Sequence, residues 1–445
     1  MKSRVKILPI LLPILLVLGL LSAAGVTIYL ERSNEVSHTD LGQKYLNSMD
    51  YNGAAEEFVA RLTQDPTDVE ARRGLARSYF GMGKTDLASE VLQPLMETKD
   101  PEAYRLVIQM ETESQDVNQA LLDARELVSQ TDKEEDYKLL DELFQQVLAL
   151  PHSYAAGTDQ VLLLSDGQVK AAGSNLLGQL GAAAHLGTNE RQDRFASAEF
   201  QGTAGKVYCA GRTSYVVDAE NNLWAAGENR WGQMATGTAD MTPQAGWKKI
   251  VDSGDVACVA GLTGRLYVLK TDGSLWLSGQ GGSMGLERVQ EFYQVSALES
   301  DGRSVAVLTL DGKLYRSENG GGWNLAARNV KQFSLCSGML AWITADQQVC
   351  TSNGIYYPQE WQTGKTGAIP DFDVLRIACD GNGILLQGTD GILRRLYQGS
   401  VSTYDDLHVT SIYGEDGCVV LETESGVRLW QLSETKPTLP PTILP

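Results

Sequence analysis

The sequence predicts a chain of two repeat modules: an all-α helical repeat, then an all-β seven-bladed propeller, preceded by a single N-terminal transmembrane helix. Three observations predict this. Residues 7–30 carry no charge. Residues 38–151 repeat a pattern of small and aromatic residues every 34 positions. Residues 152–433 hold seven apolar runs, each broken by a tight-turn pair, with turns about 43 residues apart. At 445 residues, one core is not expected.

The first element follows a basic start, with Lys2, Arg4 and Lys6 ahead of the uncharged run. Twenty-four helical residues span roughly 36 Å, enough for a hydrocarbon core of ~30 Å. Pro9 and Pro13 sit in the first turns, where lost amide donors matter least. The positive residues stay inside, which places the bulk of the chain outside the cytoplasm. Ser22-Ala23-Ala24 has the small-x-small form of a signal-peptidase site, so a cleaved leader is the competing reading. Gly25 to Leu30 continues apolar past it, which favours the uncleaved anchor.

The helical segment is acidic: residues 33–150 hold 11 basic and 24 acidic residues, net −13. Such a segment is repelled by anionic lipid. Leu41-Gly42, Tyr45, Ala54, Phe58 and Pro66 recur as Leu75-Ala76, Tyr79, Ala88, Leu92 and, one residue late, Pro101. Small Ala54 and Ala88 allow close helix crossing, and the aromatic residues fill the gaps. Tyr104, Val107, Ala120 and Leu127 mark a degenerate third unit. Residues 133–150 read as one amphipathic closing helix with Asp132 as N-cap.

These residues resemble the tetratricopeptide repeat, which implies a concave peptide-binding groove lined by the first helix of each unit. By position the groove would show Gln43 and Asn47, then Arg73, Arg77 and Phe80. The Lys/Asn set that grips a C-terminal carboxylate in some members is absent; Thr39 and Gln43 stand at two of its positions.

In residues 152–433 the hairpin turns fall at 167, 221, 273, 312, 347, 391 and 426. Asp-Gly between strands is a strong hairpin signal, and type I′ turns are expected there. Seven such units of about 40 to 50 residues make a β-propeller. Gly173-Ser-Asn175-Leu-Leu-Gly178-Gln-Leu-Gly181 and Gly227-Glu-Asn229-Arg-Trp-Gly232-Gln233-Met resemble the regulator-of-chromosome-condensation repeat. The match fades in the later units, and the family's usual His is replaced by Ser214 in the second.

Cys209, Cys258, Cys336 and Cys379 each precede a Gly by two or three residues, and read as small core thiols on innermost strands. Trp224, Trp276, Trp430 and Tyr315 follow the turns and read as repeat core. Tyr356, Tyr357 and Trp361 sit in an insertion, residues 353–371, and read either as contact anchors or as packing on the side of the propeller. Trp231 and Trp247 are weaker candidates in other loops. A Pro-rich tail occupies 434–445.

No catalytic, cofactor or metal site is expected. The four His are scattered, and Gly83-Lys84-Thr85 and Gly364-Lys365-Thr366 lack the upstream glycine of a phosphate loop. A net charge of −19 argues against nucleic acid as a partner. The expectation is a membrane-anchored, extracytoplasmic, non-enzymatic scaffold for protein partners. The alternatives are a propeller that binds cell-envelope carbohydrate, and one that inhibits a secreted enzyme. Nucleotide exchange, as in the nuclear member of the propeller family, would sit on the wrong side of the membrane.

Overall fold

The computed structural model describes residues 37–352, 357–359, 361–363, 367–415, 418–423 and 426–431. The anchor 7–30, Ala24, Tyr356 and the tail 434–445 lie outside the described residues. Among the described residues no helix is long and apolar enough to cross a membrane. The chain divides into two compact units, 1–110 and 111–445, and the division falls inside a helix, Pro101–Glu113.

The first unit is built from α1 (His38–Asn47), α2 (Tyr51–Gln64), α3 (Val69–Gly81), α4 (Thr85–Glu97) and most of α5 (Pro101–Glu113). Short acidic or hydroxyl caps start four of them. Ser37, Asp50, Asp68 and Asp100 accept from the amides of Asp40, Gly53, Ala71 and Ala103. Ala54 and Ala88 are fully buried, as their small size at a helix crossing requires. Phe58 lies between α1 and α3. A Cβ on Gly74 would stand 2.2 Å from its ring, and one on Gly42 would stand 2.8 Å away. The glycines are therefore the space that the ring fills.

The second unit opens with α6 (Val117–Gln130) and α7 (Glu134–Leu148) and continues into the propeller. The expected cap of α7 is displaced. Lys133 stands at the N-cap and makes no side-chain cap bond. The Thr131 hydroxyl donates to Asp136 instead, at 2.6 Å.

Seven blades follow, laid down from the axis outward in chain order except in blade 5. Their strands are β1–β4 (154–197), β5–β8 (204–251), β9–β12 (256–288), β13–β16 (295–327), β17–β21 (330–369), β22–β25 (374–404) and β26–β28 (409–431). Blade 5 is five-stranded because the insertion contributes β20 (Gln362–Thr363) and β21 (Ala368–Ile369). There β21 pairs β19 and β20 lies outermost.

The turns between second and third strands depart from expectation. Among the described turns only that of blade 1 has positive φ at both turn residues, Asp166 (52°) and Gly167 (73°). In blades 2 to 6 the amide of the left-handed residue reaches back three positions, as Gly273 N to Lys270 O, and Lys270 N then bonds Ser274 O. That is a three-residue loop, a type I turn closed by one left-handed residue. Asn221 (φ 60°) and Gln347 (φ 59°) fill that position in blades 2 and 5 without a glycine.

Blade 7 joins blade 1 without exchanging strands among the described residues. Tyr413 carries the joint: its hydroxyl meets Ser153 N (3.2 Å), Tyr154 N (3.0 Å) and Tyr154 O (3.2 Å). Val420, Val427 and Leu429 pack behind it on Tyr154 and Phe195.

Candidate functional site

The inner strands enclose a channel with two unlike ends. One end is closed by the unit's own helices. Gln145 of α7 donates to Thr271 O at 3.0 Å, and Arg125 of α6 to Gln294 at 3.1 Å. Asp116, the cap of α6, is bound by Lys331 at 2.7 Å, with side chains 7% and 0% exposed. Lys206 Nζ donates to Leu148 O at 2.6 Å, where the last carbonyls of α7 lack helical partners, and to Ala257 O at 2.8 Å.

Behind this plug lies a chamber of about 170 Å³, walled in part by His152, Lys206, Glu299, Lys331 and Tyr413. His152 is stacked between Tyr208 and Tyr413, with ring centroids 4.4 and 4.3 Å away. Its Nδ1–H donates to Val207 O at 2.7 Å. Burial pushes its pKa down to about 4, so it is neutral at neutral pH. Burial pushes Glu299 up to about 8, against the Leu335 amide that donates to it at 2.7 Å. Lys206 is lowered by the same cause.

The far end is an open mouth of about 480 Å³, rimmed by the turns between first and second strands. Gly157, Gly211, Gly261 and Gly338 keep it wide, with Asp301 and Arg303 at the edge. The Asp301 carboxylate is occupied by the amides of Arg303, Ser304 and Gly338.

The loops beside this mouth explain the glycine-asparagine motif. Asn175 Nδ2 donates to Ala182 O and Ala184 O, while its Oδ1 accepts from Leu180 N. Asn229 does the same work with Thr238 O and Met234 N. Gln179 and Gln233 each accept the amide two residues upstream, at 2.8 Å. The motif is loop scaffolding. What the loops present is Trp231, Met241 and Met284, exposed by 44%, 54% and 46%. Trp231 lies against Gly264, and Met284 against Gly232, so loops of blades 2 and 3 meet there.

The described candidate anchors fall on the packing side. Trp361 is 5% exposed and packs in its own blade with Tyr357 and Phe372. Its ring fills core, because the insertion folds back as strands instead of projecting. Trp247 is likewise structural, its Nε1–H donating to Ala198 O at 2.8 Å. In the helical unit Gln43 and Asn47 are exposed and bonded to each other. Arg77 is exposed, and Phe80 is half-buried on the α3–α4 core. Arg73 is committed to Asp100, the cap of α5.

The cysteines serve as core residues, with Cys336, Cys350, Cys379 and Cys418 buried. Cys336 and Cys379 stand on the last rung before their turns, and Cys209 on the next-to-last. Cys258 does not share that level, since it pairs with Leu269 deeper in its blade. Burial raises the thiol pKa of Cys209, Cys258 and Cys379, so none is a reactive thiolate.

Residues 46–109 match the family model of the tetratricopeptide repeat. No curated protein sequence matches the chain. Human WBSCR16 superposes with a TM-score of 0.50 at 16% identity, over 61% of this chain and 87% of that one. Prp20p from Saccharomyces cerevisiae, described with its binding to Gsp1p and histones, gives 0.49 at 15% identity, over 68% and 89%. Yeast RCC1 (Prp20) with Kap60 gives 0.46 at 14%, over 63% and 80%. The chain thus carries a tetratricopeptide-repeat segment followed by a seven-bladed propeller of the RCC1-like fold.

Proposed function

We propose that this chain is a non-enzymatic scaffold for protein partners, held at a membrane by residues 7–30 with its repeat modules outside the cytoplasm. The observation that carries the scaffold reading is the asymmetry of the propeller. One face is occupied by the unit's own helices, and the opposite face is open and presents Trp231, Met241 and Met284. Exposed large apolar and aromatic side chains on one face are the usual chemistry of a protein contact. Gln43, Asn47 and Arg77 offer a second, polar surface on the helical unit. The anchor reading rests on Lys2, Arg4 and Lys6 ahead of an uncharged run of 24 residues.

Cells carrying the full chain are fractionated, and intact cells are treated with protease. The proposal expects the chain in the membrane fraction, resistant to salt extraction and digested from outside. Affinity capture after mild cross-linking should then return a stoichiometric protein that Trp231→Ser with Met284→Ser loses. A chain in the soluble fraction defeats the anchor reading, and capture indifferent to the double variant defeats the free-face reading.

A further inference from the structure

The chamber beside the free mouth holds a carboxyl group for which the surrounding fold supplies no counter-charge. At the last rungs of the inner strands small thiols recur: Cys336 and Cys379 on the last rung, Cys209 on the next-to-last. Two carboxyl groups take the same levels. Glu415 stands on the last rung of blade 7, opposite Cys418, and Glu299 on the next-to-last of blade 4, opposite Ala306. Both line the chamber, and Glu415 also lines the mouth, so the two cavities share that wall.

Glu299 receives the Leu335 amide on Oε2, and no Lys, Arg or His among the described residues pairs with it. The two lysines on the chamber wall are committed elsewhere. Lys206 is bound to two carbonyls and Lys331 to Asp116. His152 is neutral, its Nδ1–H held by Val207 O. Glu415, also on the wall, accepts the Ala156 amide at 3.1 Å and stands 3.9 Å from His152 Nε2, while Tyr208, Cys209, Cys258 and Tyr413 are all raised by burial and stay protonated. Cys379, the one thiol from blade 6 that Glu299 influences, is raised too. A carboxyl group enclosed without a counter-ion is costly. It takes either a proton or a cation from outside.

We propose that the channel binds a slender primary ammonium, entered through the free mouth, with the Glu299 carboxylate as its counter-charge and the rings of Tyr208 and Tyr413 beside its alkyl chain. The chamber of about 170 Å³ suits a short alkylamine; drug-sized ligands use roughly 300–1,000 Å³. Aromatic walls favour a cation over a neutral chain of equal length. Free amines and a partner's lysine side chain share this chemistry.

The test is calorimetric titration of the full chain with 1,5-diaminopentane, the neutral 1,5-pentanediol, and Nα-acetyl-lysine amide. Saturable one-to-one binding of the diamine without binding of the diol is expected. Binding of acetyl-lysine amide as well identifies a lysine side chain as a source; binding of the diamine alone identifies a free amine. Glu299→Gln should weaken binding at least tenfold while retaining the native circular dichroism. In the native chain the association constant should fall about tenfold per pH unit below about pH 8, as the carboxylate takes up its proton. The pH profile and the diol comparison need no variant, so a Glu299→Gln chain that misfolds does not block the test. Equal binding of the diol, an unaffected Glu299→Gln chain, or no saturable heat would overturn the proposal.

Discussion

Lys331→Met isolates the contact that docks the last helix pair on the propeller. Lys331 is wholly buried, and its Nζ lies 2.7 Å from Asp116, itself 7% exposed. Removing one partner of such a pair leaves the other charge buried and unpaired, at a cost of about 3–5 kcal/mol. The retained Asp116 still caps α6 through the Gln119 amide, at 3.2 Å, so the loss is that of the pair and not of the cap. Adding Asp116→Asn removes the orphaned charge while keeping a good N-cap residue. The double variant should recover to within about 1 kcal/mol of the native chain. The assay is urea unfolding followed by tryptophan fluorescence, which reports the propeller because all eight Trp lie between residues 224 and 430. A single-variant loss below about 1 kcal/mol, or a double variant no better than the single, would refute a buried, helix-docking ion pair.

Four further outcomes follow from the same geometry. Gly74→Ala places a methyl 2.2 Å from Phe58 and should cost about 1–3 kcal/mol, read as lost helical signal on heating; an unchanged midpoint would contradict the packing. A fragment starting at residue 152 removes the carbonyl partner of Lys206 and the acid partner of Lys331, so it should aggregate in size-exclusion chromatography where 111–445 stays monodisperse. Asn229→Ala strips the bonds to Thr238 O and Met234 N and should cost about 1–3 kcal/mol in the urea assay. His152 and Glu299 pull the pH profile in opposite directions. His152 is protonated more readily when unfolded, so it removes about 3 kcal/mol as pH falls from 6.5 to about 4. Glu299 keeps its proton longer when folded, so it removes stability as pH rises from 4.5 to about 8. Urea midpoints of Glu299→Gln should therefore drop in acid more steeply than those of the native chain, and those of His152→Phe less.

Periodicity made the architecture legible. The 34-residue spacing located α1 to α4 because helix crossings demand Ala54 and Ala88, and the turn spacing located seven blades because each blade repeats one hairpin. Asn175 and Asn229 were legible as a repeat signature, and their loop-bridging bonds were not. Local reading failed where neighbours decide. Asp132 looks like a cap, but the chain enters α7 through Lys133. Asp-Gly suggested type I′ turns, yet the register of blades 2 to 6 adds a third loop residue. Trp361 could be read as a loop anchor because an insertion gives no sign of folding back into strands. Lys331 and Asp116 are 215 positions apart, and only the docked helices show why a lysine interrupts an apolar inner strand. Glu299 left a trace: a charge on an innermost strand, at the level where another blade places a thiol.

The scaffold reading stands or falls on whether the propeller's free face touches a partner. A photo-crosslinking phenylalanine analogue at position 231, compared with one at Tyr137 on the solvent side of α7, tests this in intact cells. The account predicts one discrete adduct from position 231, reproducible in mass and absent from position 137. Adducts of equal pattern from both positions, or none from 231 in a chain that is folded and at its native level, would contradict it.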